Sequence, residues 1–355
     1  GGAKKIRAFI KDAKIKYNIG IDFMCKSPGI SIIELFNKEI LLKITNFELL
    51  TSYRKHIRKY FKDPYLISLL EFPVLFLGAS AISLAPIFVR LSELGPSATA
   101  FYRVLFAMPV FLIWIIHDKK IGHNHRQPDS LSDYGGLAIT GIFFAGDLFF
   151  WHWSIKLTSI ANATLLANFA PIFITLGSFF IFGERFKPTF LGGMILSMLG
   201  VLLLLGDSFV FHYEHLVGDA FGLIASIFYA AYLIAISRLR RSFSTVTVIT
   251  WSGLVTCLCM VPIILISGEG FFATTLYGWL ILIGLALISH AGGQSFIAFS
   301  LAHLPAAFGS VGLLLQPALA VIIAWFIFDE SLGMMQAFGG LIIILGIYSA
   351  RRGLA

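Results

Sequence analysis

From about Leu66 to Arg352 the chain alternates ten times between a long apolar stretch and a short polar break. Each stretch is close to the roughly 20 residues a helix needs to cross the hydrocarbon of a bilayer. The pattern predicts helical spans at roughly 70–90, 97–117, 134–154, 160–182, 189–206, 217–237, 246–267, 277–299, 305–328 and 334–350. The breaks hold only a few residues each, which leaves no room for a soluble catalytic domain. Prolines interrupt the first span at Pro73 and Pro86, the fourth at Pro171 and the ninth at Pro317. In a membrane each such proline frees a carbonyl that a neighbour or a cavity must satisfy.

The ten spans fall into two sets of five. At a fixed offset, Ala145-Gly146 matches Ala291-Gly292, Phe150 and Ser154 match Phe296 and Ser300, and Pro171 matches Pro317. Phe180-Ile181-Phe182 matches Phe326-Ile327-Phe328, Glu184 matches Glu330, and Gly193 and Gly200 match Gly339 and Gly346. An odd number of spans per half forces the second half upside down relative to the first. The expected fold is therefore an all-α polytopic membrane protein: ten transmembrane helices as two inverted five-helix repeats, 65–207 and 208–355. Inverted repeats of this kind mark transporters, with the site at their interface near the midplane.

Composition agrees with lipid as the solvent: 57% of the residues are hydrophobic and 13% charged, about half the charge of a soluble domain. The net charge of +8 is local. Residues 1–64 hold 14 Lys/Arg against 6 Asp/Glu, and the remaining 291 residues hold 13 of each. Nucleic-acid binding is thus a poor reading of the basic balance. The short connections are biased in turn. With the N-terminus cytoplasmic, the inner connections and C-terminus carry Lys119, Lys120, Arg126, Arg185, Lys187, Arg238, Arg240, Arg241, Arg351 and Arg352, and the outer ones only Arg90 and Lys156. Lys and Arg stay on the cytoplasmic side, so both termini are expected to be cytoplasmic. Residues 1–64 read as a basic cytoplasmic extension, poorly ordered or foreign to the transport unit. Its strip at residues 53–62, next to the first span, suits anionic lipid.

The residues Pro86, Pro96 and Arg103, the run Thr158-Ser159-Ile160-Ala161-Asn162-Ala163 leading to Pro171, and Phe182-Gly183-Glu184-Arg185 carry a resemblance. So do Pro305-Ala306-Ala307 leading to Gln316-Pro317, and Phe328-Asp329-Glu330. Over about residues 70–352 the chain resembles the drug/metabolite transporter superfamily in its EamA-type branch. The resemblance implies a secondary transporter of a bacterial cytoplasmic (inner) membrane, commonly an exporter of amino acids or related small metabolites.

Candidate chemistry centres on Asp147, about 13 residues into the third span, near the middle of the bilayer. A carboxylate there costs several kcal/mol unless paired or hydrated, so Asp147 is a candidate for proton coupling or for holding a substrate amine; the structural alternative is a helix-packing carboxyl. Trp151 and Ser154 share its face, and an aromatic wall beside a carboxylate suits an amphipathic or cationic substrate. Trp153 reads as an interfacial anchor, and His152 is left open. His290 and Gln294 lie four apart in the eighth span. By the repeat, His290 corresponds to Phe144, which predicts that it faces Asp147 across a central cavity and exchanges a proton with it. Asn168 and Gln316 precede the matched prolines and are expected to line the same cavity, with Tyr229 and Tyr232 as cavity or packing aromatics. Each of these polar side chains has a plain helix-to-helix hydrogen-bonding alternative. Arg103 reads as structural, close enough to the surface to snorkel, to pair with Glu93 or to meet a substrate carboxylate. Glu184 and Glu330 read as caps of the helices that follow them. Gly218, Gly222 and Ser226, like Gly193, Ser197 and Gly200, form small-residue ridges for close helix approach.

An intramembrane aspartyl protease needs a second deep aspartate and a rhomboid-type serine protease a Gly-x-Ser-Gly turn; the sequence has neither. Cys25, Cys257 and Cys259 have no disulfide pattern, no His/Cys grouping has metal-ligand spacing, and no phosphate-cradling glycine loop occurs. No cofactor or metal is expected. The expected function is alternating-access transport of a small metabolite, proton-linked or facilitative, with an organic-cation or nucleoside-like carrier as the second reading. Direction, coupling ion and oligomeric state, a homodimer included, are not readable from the residues.

Overall fold

The computed structural model describes residues 64–120, 126–206, 213–302, 304–328 and 333–353. Among them are ten helices long and apolar enough to cross a membrane. They are α1 (Pro73–Leu91), α2 (Pro96–Asp118), α3 (Leu131–Leu157), α4 (Ile160–Phe182), α5 (Pro188–Leu205), α6 (Tyr213–Leu239), α7 (Thr245–Ser267), α8 (Leu276–Ser300), α9 (Ala306–Ile323) and α10 (Met334–Arg352). The described residues hold no strand. The basic strip at 53–62 and Glu330 lie outside the described residues.

Local sequence sets the helix ends. Ser130 opens α3 with a reciprocal capping box to Asp133. Ser159, Ser244 and Thr275 accept from the backbone N–H three residues on, at the starts of α4, α7 and α8. Each satisfies one of the donors a helix leaves unpaired at its first turn. Gly183 and Gly268 close α4 and α7 with φ of +67° and +69°, a conformation open to glycine at little cost.

Prolines decide where the spans break. α1 stops at Ile82 and resumes at Ala85, ahead of Pro86. α4 breaks at Asn168–Phe169 ahead of Pro171, and α9 breaks at Leu314 ahead of Pro317. The ring removes one helical hydrogen bond and collides with the carbonyl four residues back, so the helix yields just before it. α2 also breaks, at Phe106–Ala107 ahead of Pro109, which the sequence reading did not anticipate. Pro73 is tolerated inside an unbroken helix. α8 widens into a π-helix over Leu285–Gln294, an arrangement that often accompanies functional positions.

The surface of the bundle is apolar where a water-soluble protein's would be polar. Phe180, Ile181 and Ile266 point outward, where only hydrocarbon suits them. Inside, Phe111, Phe144, Leu148 and Tyr232 are fully enclosed.

The most intimate helix pair is α5 with α10. A Cβ built on Gly200 would stand 2.7 Å from Ile343 N and 2.8 Å from Gly339 O, and one on Gly339 would stand 2.6 Å from Leu204 N. Gly193 meets Gly346 and Ala350 in the same way. Ser197 donates to the Ile343 carbonyl at 3.3 Å, across a sequence separation of 146. The start of α5 therefore lies against the end of α10, and the two run antiparallel, backbone on backbone.

Polar contacts gather the connections at the two ends of the bundle. At one, Arg126 pairs with Asp129 and Asp133 at 3.1 and 2.7 Å, and Arg238 pairs with Glu184 at 3.1 Å while lying 3.6 Å from the centre of the Phe182 ring. This corrects the capping role expected of Glu184: α5 starts only at Pro188 and has no side-chain cap. At the opposite end two glutamates cross between hairpins. Glu269 accepts from the amides of Ser97 and Ala98 at 3.2 and 2.9 Å, holding the start of α2. Glu93 accepts from the amides of Thr274 and Thr275, at 3.0 and 3.1 Å, and from both their hydroxyls, just ahead of α8.

The Thr275 hydroxyl, with the neighbouring amides, holds the Glu93 carboxyl below its ordinary range. A depressed folded value means the clamp is complete above the ordinary carboxylate range and is lost as pH falls through the lowered one. Protection of the Thr274 and Thr275 amides, taken relative to the intrinsic exchange rate at each pH, is expected to fall in acid, and to be low already at neutral pH in Glu93→Gln. Equal protection in both proteins across the titration would remove the clamp's role.

Candidate functional site

A cavity of about 550 Å³ enters the bundle at the end carrying Glu93. Its mouth includes Arg90 and Leu91 at the end of α1, Ile160 at the start of α4, Leu205 at the end of α5 and Gln336 at the start of α10. Deeper walls come from the broken and widened helices. α1 contributes Pro86, α4 Asn168 and Pro171, α8 Gln294 at the close of its π-helix, and α9 Gln316 and Pro317. A break in a helix exposes backbone polarity and turns the next side chain off the helical path, so polar groups reach a mostly apolar pocket where a continuous helix would present an unbroken apolar wall.

Asp147 and Trp151 of α3 and Tyr229 of α6 face this cavity. Arg103 of α2 does too, although it is only 3% exposed. Its guanidinium lies 5.7 Å from the centre of the Trp151 ring, within cation–π range. Arg103 and Asp147 attract one another but fall short of a contact ion pair. The cavity therefore presents a guanidinium and a carboxyl group, not in contact, beside an aromatic face.

Several lining groups lack partners. Arg103 Nε, Thr164 Oγ1, Gln294 Oε1 and Gln316 Nε2 are buried with no hydrogen bond to the protein. Buried polar atoms are nearly always satisfied, so four orphans on one cavity wall mark a place for polar guests. Asn168 donates to the Thr164 carbonyl at 2.7 Å, in the turn ahead of the break in α4.

Of the residues expected at the site, Asp147, Trp151, Asn168, Gln294, Gln316 and Tyr229 come together around this cavity. His290 and Tyr232 do not line it. Phe144 lies between them, stacked on the His290 ring at 5.3 Å and on the Tyr232 ring at 4.4 Å, and Phe111 closes the other edge of His290 at 5.7 Å. That aromatic column removes the direct exchange expected between His290 and Asp147. His290 and Phe144 meet as a stacked pair of rings and not as two walls of a cavity. Ser154 is turned away as well, donating to the Gly218 carbonyl at 2.7 Å.

Arg103 reads from the sequence as structural, with snorkelling, Glu93 or a substrate carboxylate as its alternatives; the structure buries it, and Glu93 is taken by Thr274 and Thr275. A depth comparison finds Arg103. At 1.5 Å per residue, Arg103 lies roughly 10 Å below the start of α2, and Asp147 roughly 15 Å below the end of α3 at the same face. Two opposite charges at similar depth point to one polar centre.

The profile of the EamA-like transporter family matches the chain twice, over residues 70–206 and 216–351. An uncharacterized transporter of Archaeoglobus fulgidus is 25% identical over 266 residues, covering 73% of this chain and 89% of that protein. The pseudopaline exporter CntI of Pseudomonas aeruginosa is 23% identical over 216 residues, 61% of this chain and 74% of CntI. The aromatic amino acid exporter YddG of Ancylobacter novellus is 32% identical over 119 residues, 33% of this chain and 40% of YddG. A solved crystal structure superposes with a TM-score of 0.66 at 20% identity, over 79% of this chain and 96% of the other, a likeness of fold. Ten apolar helices, a cavity among broken spans and a family profile met once in each half lead to one conclusion: the chain is a multi-pass membrane protein that belongs to the EamA-like transporter family.

Proposed function

We propose that the protein exports an amphipathic zwitterion of the amino-acid class, aromatic members included, across the cell membrane by alternating access. The observation that carries this is the separation of Arg103 from Asp147 across a cavity faced by Trp151. A carboxylate on Arg103, an ammonium on Asp147 and an apolar side chain on Trp151 would use each group for what it does best. An organic cation meets Arg103 and Arg90 as repulsion, so the second reading loses ground. The name of YddG supports export of aromatic amino acids, and that of CntI supports export.

The antiparallel contact of α5 with α10, each the fifth helix of its half, supports an inverted relation between the halves. With the Lys/Arg bias it favours cytoplasmic termini, which makes the Glu93 end the outer one and this state outward-facing. Of the described carboxylates, Asp147 alone lines the cavity, which favours it as the proton carrier. The test is flux of phenylalanine in proteoliposomes, wild type beside Asp147→Asn, with and without an imposed pH gradient. Gradient-driven flux is expected in the wild type alone. The same gradient-driven flux in Asp147→Asn would sink the coupling role, and its absence for every amino acid in the wild type would sink the substrate class.

A further inference from the structure

The end of the bundle that carries Glu93 is almost free of basic residues. Its five connections and the last turns of the helices that enter them hold only two Lys or Arg residues, Arg90 and Lys156, and these two line one cavity of about 300 Å³. That cavity lies beside the main one and shares Arg90 with it. Neither cation forms an ion pair with a described carboxylate, and no carboxylate lines the cavity. Both side chains are exposed, so the cavity offers two cations that no carboxylate of its own lining meets.

The floor holds a second signal. His152 is fully buried and lines the cavity. Its Nδ1 bonds the Leu148 carbonyl at 2.6 Å, so Nδ1 carries a proton and donates. The neutral ring then offers Nε2 as an acceptor, and Nε2 has no partner in the protein. The hydroxyls nearby are already committed, Ser92 to Thr99 at 2.7 Å. Trp151 and His152 are adjacent on α3 and line different cavities, Trp151 the larger and His152 the smaller. The chemistry available is thus two cations for a carboxylate and one buried acceptor for an N–H or O–H donor.

We infer that this smaller cavity is a second site for the carboxylate-bearing cargo, an exit station reached through Arg90. The inference rests on the zwitterion reading above. Its carboxylate lies between Arg90 and Lys156, and its ammonium turns toward His152 Nε2. Arg90, on the wall of both cavities, hands the carboxylate from one to the other.

Equilibrium dialysis of radiolabelled phenylalanine against the purified full chain in micelles tests it, with benzoate as a carboxylate that lacks the amine. Two phenylalanines per chain are expected in the wild type. Lys156→Gln is expected to weaken one of them about tenfold, the scale of one lost charge-assisted bond, and Lys156→Arg to restore it. Lys156 is exposed, so neither change disturbs packing. One phenylalanine per chain, lost in Asp147→Asn and indifferent to Lys156, would overturn the second site and leave the zwitterion reading standing. Benzoate binding that depends on Lys156, without any phenylalanine binding, would uphold a carboxylate site and overturn the cargo. Binding of neither probe through Lys156 would remove the site.

Discussion

Arg103→Met is expected to weaken cargo binding by about 10- to 100-fold, which follows from losing a charge-assisted hydrogen bond of about 1.5–3 kcal/mol in a buried setting. The guanidinium is enclosed by protein yet has no carboxylate in contact and an unpartnered Nε, so its hydrogen-bonding capacity is held for something absent from the protein itself. Methionine keeps much of the side-chain length and removes the charge. Arg103→Lys is expected to recover only part of the loss, because a compact ammonium has no planar fork for two carboxylate oxygens. Trp151 reports the event, since its ring lies 5.7 Å from the guanidinium: titration of cargo followed by tryptophan fluorescence gives the affinity of each variant. An unchanged affinity in Arg103→Met would return that residue to a structural role.

Gly200→Ala is expected to destabilise the protein by about 1–3 kcal/mol or more, the range for forcing extra carbon into a filled interior. The obstructing atoms are Ile343 N and Gly339 O, both backbone, so no side chain can swing aside. The control is eight residues away on the same helix. A Cβ at Gly192 meets nothing within 4 Å, and alanine is the better helix former by about 1 kcal/mol, so Gly192→Ala is expected to be neutral or stabilising. Thermal unfolding of the two variants in micelles separates packing from helix propensity. Equal midpoints would show that the α5–α10 approach is loose.

The helices were legible because lipid demands a run of apolar residues of fixed length, and that run is visible whatever packs against it. The breaks at Pro86, Pro171 and Pro317 were legible because proline acts on its own backbone. The break before Pro109 was missed, and Pro73 lies in an unbroken helix: a proline's effect is local, but whether a helix bends or parts there depends on its neighbours. The site residues divide along the same line. Asp147, Trp151, Gln294 and Gln316 stand out as polar or amphipathic groups inside apolar spans. His290 stands out equally and is elsewhere, because whether a polar ring meets a cavity or an aromatic stack depends on helix rotation, which periodicity does not resolve. Arg103 was read as structural because depth along a single helix does not reveal that its face turns toward Asp147 on another.

The contact of α5 with α10 also bears on how the chain reaches its native state. A hydrogen bond in this seam joins residues 146 positions apart, and Gly193 and Gly200 await partners that come five helices later. Contacts between distant segments close late, so the first five helices leave their tightest seam open until α10 has been threaded beside them. Through that interval the exposed glycine backbone of α5 is a binding edge for whatever helix arrives first. The order of insertion, as much as the shape of the seam, keeps that partner within the same molecule.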